Sequence, residues 1–358
     1  MMKLSRRPTL LVSVAFLSTA VILTGCSTKG ASSSAGNSGA TNAAVADLSS
    51  IKVALVPGGA HPYFQPWKAG AKQALTEFGI GGYTFDETGE WDQTKQNAAI
   101  DALGAQGYNA FGIFGVSPTD INTTYEALKS KGFAVGALAS CPAGAVDKAD
   151  FCLSTDTGDA AYKAAKAAIA AMGGKGNLVH LTGNAVDSNT QRRIAGVAKA
   201  IAETNGAVKL LTTITDIDKD LQTAQKAVSD LLAAKGGQIN GIVTTAYNPA
   251  VAATVAVKSS KLPIKVIAID DDAKILSAIK DGAIAGTVVQ NPWGQGYVGT
   301  WVLANLQAKK CTMNTPGLYV DSGAFLVTKD NVATYDAERL AKSKALLNDF
   351  KTKYLTCK

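Results

Sequence analysis

From Ile51 onward, short apolar runs rich in β-branched residues alternate with longer stretches in which apolar residues recur every three or four positions. This rhythm predicts strands at 51–56, 82–87, 110–115 and 133–138, and a second series at 176–182, 208–214, 239–244, 264–269 and 284–290. Helices are predicted between them, near 65–78, 92–106, 119–131, 157–172, 190–204, 219–234, 248–260, 272–281 and 294–309. Glycines at 79, 107, 132 and 282 mark helix ends. A last helix, at about 330–350, is charged on one side and carries Leu340, Leu346, Leu347 and Phe350 on the other.

The strands are apolar without interruption, so both their faces are buried, as in parallel sheets covered by helices. Nine strand–helix units exceed one small open sheet. The pattern therefore predicts an α/β fold of two doubly wound parallel-sheet domains joined by a multi-strand hinge, with a (β/α)₈ barrel as the competitor. The segment 139–155 breaks the rhythm for too long to be another strand–helix loop, and reads as a crossing between domains. The predicted lobes are 51–154 plus 291–316 and 155–290 plus 317–358.

Ahead of the repeat, Lys3, Arg6 and Arg7 precede an apolar run from Thr9 to Thr24, the form of an export signal over residues 1–25. The run ends in Leu-Thr-Gly-Cys, similar to a lipobox, in which Cys26 becomes the lipid-bearing first residue; the alternative is a chance cysteine after an ordinary signal. Two or more acyl chains suffice for stable attachment, here to the outer face of the cytoplasmic membrane. Residues 26–50 are rich in Ser, Gly, Ala and Asn and are expected to be a flexible tether.

The composition, 47% hydrophobic and 18% charged, is globular. The formal charge of +7 falls to +4 without the leader's three basic residues, too diffuse to argue for nucleic acid. Cys141, Cys152, Cys311 and Cys357 remain in an exported chain, an even number that suggests disulfides. Three pairings are possible, of which Cys141–Cys152 with Cys311–Cys357 is the simplest; free buried thiols are the alternative. The spacings are not those of a metal site.

In open parallel sheets, ligands bind beyond the carboxyl ends of the strands. The segments there hold His61, Tyr63 and Phe64, then Glu90, Trp91 and Asp92, then Ser117. In the second series they hold Asp187, Asn189 and Arg193, then Asp216, Tyr247, Asn248, Asp270, Asp271 and Gln290. Carboxylates, amides and arginine suit hydroxyl groups, and rings suit the C–H faces of a sugar or polyol. Hydrolase, zinc-protease and nucleotide-phosphate motifs are absent. One Gly-x-Gly-x-x-Gly, at Gly294, Gly296 and Gly299, lacks the acid that dinucleotide binding needs, and close helix packing explains it better. His180 lies inside a predicted strand and reads as a core histidine, and Trp67 as the buried side of the first helix.

His61-Pro62-Tyr63-Phe64, Ser117-Pro118-Thr119-Asp120, Arg193-Ile194-Ala195-Gly196-Val197, Ala268-Ile269-Asp270 and Gln290 occur in this order and spacing. With them the chain resembles the sugar-binding proteins of ABC importers, the ribose/galactose type I periplasmic binding proteins, in lipoprotein form, over nearly all of 51–330. The resemblance implies a non-enzymatic, cofactor-free, monomeric receptor that closes around a small sugar or polyol and delivers it to a permease with a separate ATPase. A receptor reporting to a membrane signalling partner and an exported enzyme are the alternatives. The implied ligand set is His61, Tyr63, Phe64, Trp91, Ser117, Asp187, Asn189, Arg193, Tyr247, Asn248, Asp270 and Gln290. The family's Asp-Arg pair after the fourth strand is Ala139-Ser140 here. That loss predicts a smaller or acyclic polyol, with Trp91 filling part of the vacated space. His61 stands where the family keeps an amide, and a histidine there predicts binding that varies with pH.

Overall fold

A computed structural model describes residues 46–143 and 147–358. The leader, the Cys26 anchor and the tether as far as residue 45 lie outside the described residues. The first lobe opens with β1 (Lys52–Val56), α1 (Gln65–Phe78), β2 (Gly82–Phe85), α2 (Gln93–Ala105), β3 (Ala110–Ile113), α3 (Ile121–Ser130), β4 (Ala134–Leu138) and β5 (Phe151–Ser154). The second is built from α4 (Thr157–Ala171), β6 (Gly176–Leu181), α5 (Ser188–Ala202), β7 (Val208–Ile214), α6 (Leu221–Lys235), β8 (Gly241–Thr244), α7 (Tyr247–Ser260), β9 (Lys265–Ile269), α8 (Ala273–Lys280) and β10 (Gly286–Val289). The chain then runs through α9 (Pro292–Gln307), β11 (Cys311–Met313), β12 (Leu318–Asp321), β13 (Phe325–Val327), α10 (Tyr335–Asp349) and β14 (Leu355–Cys357).

The two sheets repeat one topology. The first is ordered β2-β1-β3-β4-β5-β12 and the second β7-β6-β8-β9-β10-β13. Every pairing in them is parallel except β13 on β10. The two-domain reading holds, and the barrel does not.

Four expectations change. The segment 139–155 is not simply a crossing, because its last four residues form β5 beside β4. So short a run cannot be told from loop by pattern. The stretch 317–358 does not belong to the second lobe as a block: β12 extends the first sheet, and Leu346, Leu347, Phe350 and Leu355 join the first lobe's core. Such long-range pairing leaves no local periodicity. Leu340 is exposed rather than packed. Finally, the tether's end is part of the fold: Leu48–Ser50 form a 3-10 turn capped by Asp47, and Ala46 and Leu48 pack on the first lobe's core.

Helix packing explains several glycines. A Cβ on Gly70 would lie 2.2 Å from the Trp293 carbonyl, and one on Gly296 would lie 2.5 Å from that of Trp67. α1 and α9 therefore meet at backbone contact, and α9 is buried on nearly all sides. This is the packing role expected for the Gly-x-Gly-x-x-Gly. In the second lobe Gly196 does the same for α5 on α4, with a Cβ 2.2 Å from the Gly158 carbonyl.

The lobes are joined at 155–156, 290–291 and 322–324, and polar bonds tie these crossings together. Thr155 Oγ1 and Ser322 Oγ lie 3.2 Å apart, and Gln295 Nε2 donates to Ser322 Oγ at 3.1 Å. Asn291 Nδ2 donates to the Ser322 carbonyl at 3.2 Å. Cys141–Cys152 and Cys311–Cys357 are bonded, with Cα separations of 5.8 and 4.0 Å. The second staples β14, and with it the chain's end, to β11.

Candidate ligand-binding site

The carboxyl ends of both sheets face a cleft of about 550 Å³. On the first lobe, the loop after β1 sets its wall. His61 caps a short 3-10 turn over Pro62–Phe64, its Nδ1 accepting the Tyr63 N–H at 3.2 Å. That bond leaves the imidazole proton on Nε2, which faces Asp218 Oδ1 of the second lobe at 3.5 Å. Phe64 is buried, with ring centroids 5.2 Å from Phe114, 5.0 Å from Trp67 and 6.1 Å from Trp91.

Trp91 reaches the cleft through a costly turn. Glu90 and Trp91 both adopt left-handed backbone, with φ of 50° and 60°. Such geometry costs about 1–2 kcal/mol per non-glycine residue. The Trp91 N–H bonds the Gly58 carbonyl at 2.7 Å, and the indole lies on Gly58 and Gly59, where any Cβ would approach it to 2.9 and 2.8 Å.

The second lobe presents polar groups at strand ends and helix starts. Asp187 caps α5, and Asn189, the helix's second residue, has its Oδ1 buried and unpaired. Arg193, one further turn along, has no hydrogen-bond or ion-pair partner among the described residues. Asp270 is buried with left-handed backbone (φ 65°), and its Oδ1 accepts from Gln290 Nε2 at 2.9 Å. Burial, reinforced by the Asp271 and Asp218 charges and opposed by Gln290 and Arg193, raises its carboxyl to about 7. Tyr247 donates to Asp272 at 2.9 Å, and burial followed by that bond pushes its phenol far up.

His61, Tyr63, Phe64, Trp91, Asp187, Asn189, Arg193, Tyr247, Asp270 and Gln290 all line the cleft. Ser117 does not: its hydroxyl turns away to Asp120 Oδ2 at 2.8 Å, and Pro118 takes the wall instead. Asn248 lies beneath the surface, donating to the Asp218 carbonyl at 2.9 Å and approaching His61 Nε2 at 3.4 Å. The Tyr63 hydroxyl is spent inside its own lobe, on Gln295 at 3.2 Å. Trp91, Ala139 and Ser140 line the same cleft, whose volume is in the range of small-molecule sites. Sequence reasoning missed Phe114 and Asp218. Phe114 reads as strand interior, although it directly follows β3, and Asp218 is one acid among several in a polar loop. His180 is buried, shares a 2.8 Å bond with Thr245 Oγ1, and is held neutral by burial with a pKa lowered to about 3.

The family model of a periplasmic binding protein domain matches residues 53–311. The chain belongs to that family. Periplasmic binding proteins in solved structures repeat its fold. A sugar-binding protein of a sugar ABC transporter from Bacillus halodurans superposes with TM-score 0.69 at 21% identity, over 80% of this chain and 99% of that one. A solute-binding protein from Burkholderia graminis, in complex with D-arabinose, gives TM-score 0.72 at 24% identity, over 81% and 99%. One from Actinobacillus succinogenes with bound D-allose gives 0.71 at 21%, over 80% and 100%. No curated protein sequence matches the chain. No helix among the described residues of this periplasmic binding protein is long and apolar enough to cross a membrane.

Proposed function

We propose that the chain is an extracytoplasmic receptor that captures a sugar or polyol between its lobes and hands it to an ABC importer, with no chemical step of its own. The observation that carries this reading is the group at the cleft's second wall: Asp270 oriented by Gln290, unpaired Arg193 and the orphaned Asn189 Oδ1. Together they offer acceptors and a five-donor fork to hydroxyl groups. The rings opposite suit C–H faces. Solved relatives holding D-arabinose and D-allose support the reading.

Capture works by hinge motion. A ligand touching both walls stabilises the closed arrangement by no more than its differential affinity for it. His61 with Asp218 adds a polar contact from lobe to lobe. The permease partner supplies ATP hydrolysis, and Cys26 supplies the lipid anchor.

A thermal-shift series with D-arabinose, D-allose, D-tagatose, polyols and amino acids tests the proposal. A ligand at a hundred times its Kd should add about 2.7 kcal/mol, roughly 5 °C in a chain of this size. Shifts from amino acids or peptides alone overturn it.

A further inference from the structure

The two walls of the cleft do not share the work, and this narrows the ligand. We propose that it is two-faced: a hydroxylated ring joined to a flat apolar ring, as in an aryl glycoside or a nucleoside. The inference rests on the receptor reading above and specifies what the receptor takes.

The first lobe has almost no free polar groups to give. Both His61 nitrogens are engaged, Nδ1 by the Tyr63 N–H and Nε2 by the Asp218 carboxylate. The Tyr63 hydroxyl is held by Gln295, and the exposed Glu90 carboxylate by Lys95. Besides Tyr63, Ser140 is the one residue among the described residues of this lobe that brings a side-chain hydroxyl to the cleft. The rest of the wall is Phe64, Trp91, Phe114, Gly115, Val116, Pro118 and Ala139. A free sugar can lay one C–H face on part of this wall, but any hydroxyl at its edge turned to the wall loses water without gaining a partner. A flat apolar ring loses nothing there.

Trp91 is the second observation. It is 45% exposed, whereas Phe64 beside it is buried. Two left-handed residues and two successive glycines are used to seat its indole over the loop after β1. Strain of this kind persists where the position it secures is used. With Phe114, 5.9 Å away, and Phe64 behind both, it forms a continuous aromatic surface. The cleft of about 550 Å³ has room for a second ring beyond the one gripped by Asn189, Arg193, Asp270 and Gln290.

Isothermal titration of the full chain compares D-glucose with phenyl β-D-glucopyranoside, and D-ribose with adenosine and uridine. At least one conjugate should bind tenfold or more tighter than its parent sugar, and which pair does so tells glycoside from nucleoside. In Trp91→Ala, and separately in Phe114→Leu, that ratio should fall to about threefold or less, with circular dichroism showing the fold intact. Free sugars, including D-arabinose, D-allose and D-tagatose, binding as tightly as every conjugate overturn the proposal and leave the receptor reading standing. A conjugate preference that survives both substitutions removes the aromatic wall from the explanation and overturns it too. No binding by any sugar or conjugate overturns both.

Discussion

The two lobes have the same strand order and bring the same strand ends to one cleft, yet they offer it opposite chemistry. The first wall is rings seated on glycine backbone. The second is an acid, an amide and an arginine set on helix α5 and at the end of β9. Doubling a frame therefore does not double a site. Buried strands and helix faces are constrained by packing, whereas the segments beyond the carboxyl ends face solvent and are free to differ.

The largest effect should come from the polar wall. Arg193→Ala and Asp270→Ala should each weaken sugar binding by about 3 kcal/mol, more than a hundredfold, with the melting curve still cooperative. Titration calorimetry checks this, and retained affinity in both removes the distinction between the walls.

Next comes pH. Asp270 titrates at about 7 in the folded chain against 3.8 unfolded. Because the folded value is raised, its stabilisation is complete below about pH 4 and is lost as pH rises through about 7. Asp147, raised to about 6 chiefly by burial, acts in the same direction, so the difference between wild type and Asp270→Asn is the quantity to measure. Ligand hydroxyls that donate to Asp270 favour the carboxylate. Affinity should therefore rise from pH 5 to about 7 and then level, and this rise should vanish in Asp270→Asn.

His61→Ala removes a mostly covered contact between lobes and should weaken binding by about 1 kcal/mol, roughly fivefold. Ser117→Ala should change affinity less than twofold, since its hydroxyl faces Asp120. A larger loss there returns polar work to the first wall.

Much of the site was legible because the strand rhythm located the carboxyl ends. His61, Trp91, Asn189, Arg193, Asp270 and Gln290 all follow predicted strands and all reach the cleft. Direction was not legible. Ser117 and Asn248 sit at the right places in the chain, but their side chains satisfy neighbours instead. Which atom a polar group bonds depends on loop coordinates that no residue pattern records.

By itself the sequence determined the class of fold, two helix-covered parallel sheets, because buried apolar periodicity is a local property; it left three disulfide pairings open, and Cys141–Cys152 with Cys311–Cys357 is the one the fold brings together. Only the tertiary structure decided that β12 joins the first sheet, that the chain's end returns to the first lobe, and that His61 meets Asp218 across the cleft. It also decided that the indole of Trp91 rests on Gly58 and Gly59. These outcomes depend on which distant surfaces bury each other, and a free energy of contact between residues far apart in the chain has no signature in either one's own neighbourhood.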